Sequence, residues 1–268
     1  MIRAAVLGHP IGHSLSPHIH NRWFAEHGLD GTYEAIDASP DDFEAVARRL
    51  ADEGYAGVNV TIPHKEQALK IAHRATEAAR AVGAANLLTF QDGRILADNT
   101  DELGFRASLM ALDSPVDPGH AVVLGAGGAA AAIVYALRHA TTLTVLNRTR
   151  TKAEKLALAH KNVVVADWDD RNSIIAQRPE LLVNTTSLGM TGHLPLDLTF
   201  ETHAPRTVMD IIYTPSPTDL MQKAKAAGAK HVADGLAMLV YQAAPSFEAL
   251  TGIRPHARSA LDALRSEL

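Results

Sequence analysis

The sequence predicts an α/β protein with mostly parallel sheets covered by helices, on two observations. Short apolar runs alternate along the chain with longer segments whose composition and flanking residues suit helices, the order that parallel sheets require. In the middle, His120–Ala140 reads HAVVLGAGGAAAAIVYALRHA, an apolar strand that turns through Gly125, Gly127 and Gly128 into an alanine-rich helix. The second half of the chain is arranged around that stretch.

In order from the N-terminus, Ile2–Gly8 is a mostly apolar run and reads as a buried strand. A helix over Pro17–His27 starts at a proline, whose fixed φ suits a first turn. Thr32–Ile36 is a second strand, Pro40–Glu53 a second helix and Gly57–Val60 a third strand. Helices follow over Pro63–Ala72 and Thr76–Ala81. Asn86–Phe90 and Arg94–Ala97 form a hairpin around Gln91-Asp92-Gly93. The next helix starts near Asp101, with Asp98 or Thr100 as its cap. The loop Asp113–Gly119, DSPVDPG, is rich in Pro and Gly and marks a domain boundary. Beyond it the strand Ala121–Leu124 enters the helix Ala129–His139, and further strands read at Leu143–Leu146, Val163–Ala166, Leu181–Asn184, Thr207–Ile212 and Lys230–Ala233. A helical region, Gly235–Leu250, and the tail Ala257–Leu268 close the chain.

Composition bounds what such a protein does. The 268 residues, 47% of them hydrophobic, suffice for one large or two ordinary packed domains. A net charge of -5 without long charge runs argues against nucleic acid or an anionic membrane as partner. No apolar stretch approaches the length of a membrane span, and MIRAAVLGHP reads as a strand rather than a signal peptide, so the expected setting is the cytoplasm. With no cysteine, thiolate catalysis, disulfides and cysteine-ligated zinc are excluded.

Sheets of this class bind ligands beyond the carboxyl ends of their strands, so polar residues at strand exits carry the chemistry. The first strand exits into GHPIGHSLSPHIHN, where Ser14 and Ser16 precede Pro17. Two readings stay open there: Ser16 caps the helix, or the two hydroxyls hold a carboxylate at its N-terminus. His9, His13, His18 and His20 lack carboxylates clustered at ligand spacing, and no metal site is expected. The third strand exits into NVTIPHK, with Asn59 and Thr61 on one side of an extended backbone. Lys65 falls in the first turn of the helix after Pro63, where the dipole disfavours a cation; it is either a surface lysine or a functional one. A further exit, Ala97–Asp101, follows the hairpin that carries Asn86. If Lys65 meets Asp101, the two form a proton-transfer pair.

The central turn has the pattern GxGxxA. Gly125 permits the bend, Gly127 lets the backbone N–H groups approach a pyrophosphate, and Ala130 lets the helix pack on its strand. The following strand ends at Asn147-Arg148-Thr149, with Lys152 beyond, at the place where NAD-binding sites carry an acidic residue for the ribose 2′-hydroxyl. By themselves these cations suit a solvated helix start; after a glycine turn they suit the 2′-phosphate of NADP.

The segments GHPIGHSLSPHIHN, NVTIPHK, AANLLTF, DNTDELGF, LGAGGAA, LNRT, NTTSLGM, DIIY and GLAMLVYQA, in this order and spacing, resemble the shikimate dehydrogenase family from residue 6 to about residue 255. The resemblance implies two α/β domains with the active site in a cleft between them. An N-terminal substrate domain spans 1–104, a Rossmann-type NADP-binding domain 105–236, and C-terminal helices at 237–268 return to the substrate domain. It implies NADP-dependent interconversion of 3-dehydroshikimate and shikimate, on the route to chorismate and the aromatic amino acids, by a monomer or a homodimer. Carried over by motif, Ser14 and Ser16 bind the substrate carboxylate, with Tyr213 near it, while Asn59, Thr61, Asn86 and Gln242 bind hydroxyls. Lys65 and Asp101 are the catalytic pair. Gly125, Ala126, Gly127, Gly128 and Ala129 cradle the dinucleotide, Asn147, Arg148, Thr149 and Lys152 surround its 2′-phosphate, and Thr185, Ser187 and Gly235 complete the cofactor set.

The sequence departs from the family pattern at Ala97 and Glu102, where glycine is usual, and at Asp234, where asparagine is common. The named polar positions stay intact, so these departures bear on rate and substrate range more than on reaction type. A quinate/shikimate dehydrogenase with relaxed substrate or NAD use is the alternative; Ser16 and Arg148 lean away from it. A non-catalytic dinucleotide sensor would have no need of both Lys65 and Asp101.

Overall fold

A computed structural model describes residues 1–200 and 203–268. The chain divides into two compact units, Met1–Gly104 with Leu239–Leu268, and Phe105–Met238.

The first unit runs β1 (Ile2–Gly8), α1 (Ser16–Glu26), β2 (Gly31–Asp37), α2 (Phe43–Asp52), β3 (Gly57–Val60), α3 (Lys65–Ile71), β4 (Arg74–Ala75), α4 (Glu77–Val82), β5 (Leu87–Gln91), β6 (Arg94–Asp98) and the start of α5 (Asp101–Ala111). Its six-stranded sheet has the order β2-β1-β3-β5-β6-β4. All neighbours pair in parallel except β5, which runs against both β3 and β6. The hairpin explains this: Asp92 and Gly93 both take positive φ, 50° and 68°, the two-residue turn whose twist matches antiparallel strands. Ala5, Leu7, Val58, Val60 and Ala97 pack from this sheet against Phe43, Ala47 and Leu50 of α2. The helix expected from Pro40 starts at Phe43, because Ser39 first closes a turn by accepting from the N–H of Asp42. Similarly, α3 starts at Lys65 rather than Pro63.

The second unit continues through β7 (His120–Leu124), α6 (Gly128–Ala136), β8 (Thr142–Leu146), α7 (Arg150–Ala159), β9 (Val163–Ala166), α8 (Arg171–Ala176), β10 (Leu181–Asn184), β11 (Thr207–Asp210), α9 (Asp219–Ala226) and β12 (His231–Ala233). Its sheet is parallel throughout, in the order β12-β11-β10-β7-β8-β9. Counted from β7 this is the doubly wound order 3-2-1-4-5-6 read from the other edge. Both faces are covered. Ala121 and Val123 of β7 join one core with Ile133 and Val134, whereas Val122 and Leu124 join another with Leu146 and Val208. A strand buried on both faces reads as an apolar run, which is why the inner strands β7, β8 and β10 are legible in the sequence. β11 stops at Asp210, two residues before the expected end, where the Asp210 carboxylate accepts from the N–H of Ile212 and turns the chain.

The division between units falls inside α5, after Gly104, and inside α10 (Leu236–Thr251), after Met238. It does not fall at the loop Asp113–Gly119. That loop belongs to the second unit: Leu112 and Val116 pack on its core, and Ser114 Oγ lies 2.7 Å from Thr207 Oγ1. The last helix, α11 (Ala257–Glu267), lies in the first unit and contacts α1 through Glu267, which accepts from Arg22 and pairs with His18. Among the described residues no helix is long and apolar enough to cross a membrane.

Candidate active site

In the first unit the exits of β3 and β6, the start of β5 and one face of α10 meet in a buried polar cluster. Lys65 is the first residue of α3. The preceding His64 fixes that start, donating from Nε2 to Ala38 O at 2.8 Å and stacking on Phe43 at 4.6 Å. Lys65 Nζ then reaches Asp101 Oδ2 at 2.5 Å, and the two side chains are 14% and 7% exposed. The other carboxylate oxygen, Oδ1, accepts from Asn86 Nδ2 at 2.9 Å. Removed from water, the Asp101 charge is thus met by a cation on one oxygen and an amide on the other.

Asn86 is the hub. Its Nδ2 also points to Thr100 Oγ1 at 2.9 Å and Gln242 Oε1 at 3.0 Å, and its Oδ1 accepts from the N–H of Thr100 at 2.7 Å. Gln242 is oriented by its own donation to Leu239 O, one turn back on α10. Asn59, on β3, donates to Asn86 O at 3.1 Å and to Ser246 Oγ at 2.9 Å, and accepts from the Tyr33 hydroxyl at 2.8 Å. Ser246 lies 3.1 Å from Thr100 Oγ1. Lys65, Asn59, Asn86, Asp101 and Gln242 therefore come together, along with three residues that sequence reasoning missed: Tyr33, Thr100 and Ser246. Ser246 carried a usable signal, since it stands four residues after Gln242 and so on the same helix face.

The caps differ from expectation. Neither Asp98 nor Thr100 caps α5 with its side chain; Asn99 Oδ1 accepts from the N–H of Asp101 at 3.1 Å. Asp98 is engaged by Thr76 Oγ1 at 2.6 Å, and Thr100 by the cluster. Ser16 does not cap α1 either. The N-cap position is Leu15, no side chain bonds there, and Ser14 Oγ accepts from the N–H of Ser16 at 3.3 Å. Ser16 is buried, and Thr61 is half-buried where its N–H extends the parallel ladder to Leu7 O. Among the described residues Ser14, Ser16 and Thr61 make no side-chain bond to the Asn86 cluster.

The histidines have separate roles: His9 pairs with Asp37, His18 with Glu267, and His20 is packed between Trp23 and Tyr33. Burial drives the His20 pKa down to about 3. Among the described residues no three acidic or histidine side chains converge as metal ligands.

In the second unit the carboxyl ends of β7 and β10 flank a cavity of about 180 Å³, lined by Gly125–Gly127, Asn147, Arg148, Trp168 and Thr185–Ser187. Gly125 has φ +111°, and a Cβ there would collide with Thr185 Oγ1, which donates to Leu124 O. Only glycine passes. Gly127 is the N-cap of α6, with no side chain bonded to the helix end and open space where a Cβ would stand. Gly128 and Ala129 are the first two residues of α6, so their N–H groups belong to that uncapped turn. Asn147 Nδ2 donates to Thr149 O, which shapes the turn holding Arg148. Arg150 is engaged by Glu154 at 2.9 Å and Asp167 at 2.5 Å. Among the described residues the exposed Arg148 and Lys152 make no ion pair. Uncapped N–H groups beside unpaired cations suit a polyanion with a terminal phosphate.

Tyr213 lies three residues beyond β11, half-buried, and burial pushes its phenol above the usual value. Gly235 is pressed against the same segment, where a Cβ would collide with Ile211 O. Asp210 accepts from Thr218 Oγ1 at 2.8 Å and Asn184 Nδ2 at 3.0 Å, yet burial, reinforced by the charge of Asp234, raises its pKa to about 6. The three departures from the family pattern each have a place. Ala97 is buried in the first core, Glu102 is buried in the first turn of α5, and Asp234 accepts from the N–H of Leu236 at the start of α10.

Comparison with known proteins agrees along the whole chain. Residues 6–88 match the family described as shikimate dehydrogenase substrate binding domain, and residues 112–190 match shikimate / quinate 5-dehydrogenase. A shikimate dehydrogenase (NADP(+)) of Brucella abortus (strain S19) is 46% identical over 97% of this chain and 92% of its own. That of Acidiphilium cryptum (strain JF-5) is 45% identical over 96% and 93%. A crystal structure of shikimate dehydrogenase with NADP+ superposes with a TM-score of 0.91 at 32% identity, covering 100% of this chain and 96% of that one. The shikimate 5-dehydrogenase of Thermus thermophilus, solved with NADP(H) and shikimate, gives 0.87 at 35% identity over 100% of both chains. On this agreement of sequence and fold, the chain belongs to the shikimate dehydrogenase family.

Proposed function

We propose that this protein catalyses the reversible reduction of 3-dehydroshikimate to shikimate with NADPH, on the route to chorismate and the aromatic amino acids. The observation that carries the reading is the Lys65–Asp101 pair, with its carboxylate buried and held by Asn86, in the same unit as Ser14 and Ser16. A mostly buried lysine salt-bridged to a buried aspartate that also accepts from an amide is costly as a mere structural device and useful for moving a proton.

The residues of the second unit fit NADP. The uncapped N-terminus of α6 and the clearance at Gly127 suit its pyrophosphate, and Arg148 with Lys152 suits the 2′-phosphate. The bound nicotinamide would supply the hydride for the ketone carbon as NADPH and, in the oxidation, would accept it as NADP+. The first unit handles the substrate: Ser14 and Ser16 take the carboxylate, and Asn59, Thr61, Asn86 and Gln242 take the ring hydroxyls. Lys65 Nζ donates to the reacting oxygen and passes it a proton during reduction; in oxidation the hydroxyl proton returns to the pair. Asp101 holds the ammonium in place and accepts from the substrate hydroxyl.

The test is NADP+ reduction at 340 nm with shikimate, with quinate and NAD+ as the contrasting substrate and cofactor. Lys65→Ala should lower kcat by about 10²–10⁴, the range of general acid–base catalysis, with the shikimate KM within a few-fold of the parent. A Lys65→Ala enzyme that keeps most of its kcat would return this lysine to a structural role.

A further inference from the structure

The segment GHPIGHSLSPHIHN ends in His20 and Asn21, which the proposed reaction leaves unused, and both converge on Tyr33 of β2. Asn21 clamps the strand at that residue: its Nδ2 donates to Tyr33 O at 2.8 Å and its Oδ1 accepts from the N–H of Tyr33 at 2.8 Å. The His20 ring stacks on the phenol at 4.0 Å with 10° between the planes. Thus fixed and buried, the phenol donates to Asn59 Oδ1 at 2.8 Å.

A carboxamide has two nearly isosteric ends, and its sense is set by its partners. Turned end for end, Asn59 would place its oxygen against Asn86 O, acceptor against acceptor. In the observed sense both amide hydrogens are spent, on Asn86 O and Ser246 Oγ, and Ser246 reaches Thr100. We infer that Tyr33 is a positioning residue for the substrate site, its phenol holding the Asn59 amide in the one sense that keeps Asn86, Ser246 and Thr100 in register around Asp101. Burial also raises the phenol pKa well above its ordinary value, so it stays a donor throughout the neutral range.

The inference rests on the proposed function and is tested by a double-mutant cycle of Tyr33→Phe and Asn59→Ala, read as kcat and KM for shikimate, KM for NADP+ and thermal midpoint. Tyr33→Phe should lower kcat/KM for shikimate about ten-fold, the scale of one buried acceptor left unpaired, and leave the NADP+ KM unchanged. In the Asn59→Ala background the same change should have no further kinetic effect, because Tyr33 acts through Asn59. Parental kinetics in Tyr33→Phe with only a lower thermal midpoint, or losses that multiply across the cycle, overturn the inference. Ser246→Ala, which cuts Asn59 from Thr100 without touching the aromatic stack, should also lower kcat/KM for shikimate alone; parental kinetics there overturn it too. A parent enzyme inactive with shikimate overturns the proposed function itself, an outcome distinct from an active parent with an inert Tyr33→Phe.

Discussion

Arg148 and Arg150 stand two residues apart at the end of β8, and their surroundings separate them. Arg150 is held by Glu154 and Asp167, whereas Arg148 lines the cavity at the glycine turn and makes no ion pair among the described residues. Sequence alone favoured Arg148 by its position after the strand, and the geometry leaves it available. Charge-assisted hydrogen bonds to a phosphate contribute about 1.5–3 kcal/mol, so Arg148→Ala should weaken NADP+ binding by that amount and barely change NAD+ binding. Arg150→Ala removes exposed ion pairs only and should change NADP+ affinity little. Titration calorimetry with both cofactors checks this, and equal weakening of NADP+ and NAD+ in Arg148→Ala would remove the 2′-phosphate role. Strand exits marked Lys65 and Asp101 as candidates, but their pairing was legible only through the resemblance to the family, because β3 and β6 carry them from distant parts of the chain. Tyr33 was not legible at all, because a tyrosine on an edge strand has no spacing to mark it.

At the scale of elements, what the sequence shows depends on how the element is stabilised. The inner strands β7, β8 and β10 of the second sheet read as apolar runs because both faces are buried, and the hairpin read from Asp92-Gly93 because that turn needs positive φ. Two-residue β4 has no period to detect, and the direction of β5 follows from the hairpin rather than from its own residues. Caps were the least legible, since residues of capping type crowd the starts of α1 and α5 and only tertiary partners decide which one turns inward. This gives a contrast in stability. Thr76 caps α4, accepting from the N–H of Ala79 at 3.2 Å, so Thr76→Ala should cost about 1 kcal/mol, the usual size of a lost N-cap. Ser16 caps nothing, so Ser16→Ala should stay within about 0.5 kcal/mol of the parent in urea unfolding while raising the shikimate KM. A stability loss in Ser16→Ala as large as that in Thr76→Ala would restore the capping role.

Across the whole molecule, two buried titratable groups tie stability to pH in opposite senses. His20, in the first unit, has its pKa lowered from 6.5 to about 3 by burial. As pH falls below 6.5 the unfolded chain takes this proton first, so stability is lost at up to about 1.4 kcal/mol per pH unit until the folded pKa is reached. Asp210, in the second unit, has its pKa raised from 3.8 to about 6. Here the folded chain takes the proton first, so stability is gained as pH falls through 6, by about 3 kcal/mol in all once the unfolded carboxyl also protonates near 3.8. Between pH 6 and 3.8 the two slopes offset each other. The burial-lowered His64, His120, His160 and His231 add slopes of the same sign as His20, common to parent and variants. His20→Phe keeps a ring against Tyr33 and removes one slope, so relative to its own difference at pH 7 it should gain about 2–3 kcal/mol on the parent by pH 4.5. Asp210→Asn removes the other and should fall behind the parent by about 2 kcal/mol over the same interval. Urea unfolding at pH 7, 6, 5 and 4.5 measures both. The decisive feature is the sign: two variants that drift from the parent in the same direction on acidification would show that these groups do not titrate across the fold as their burial requires.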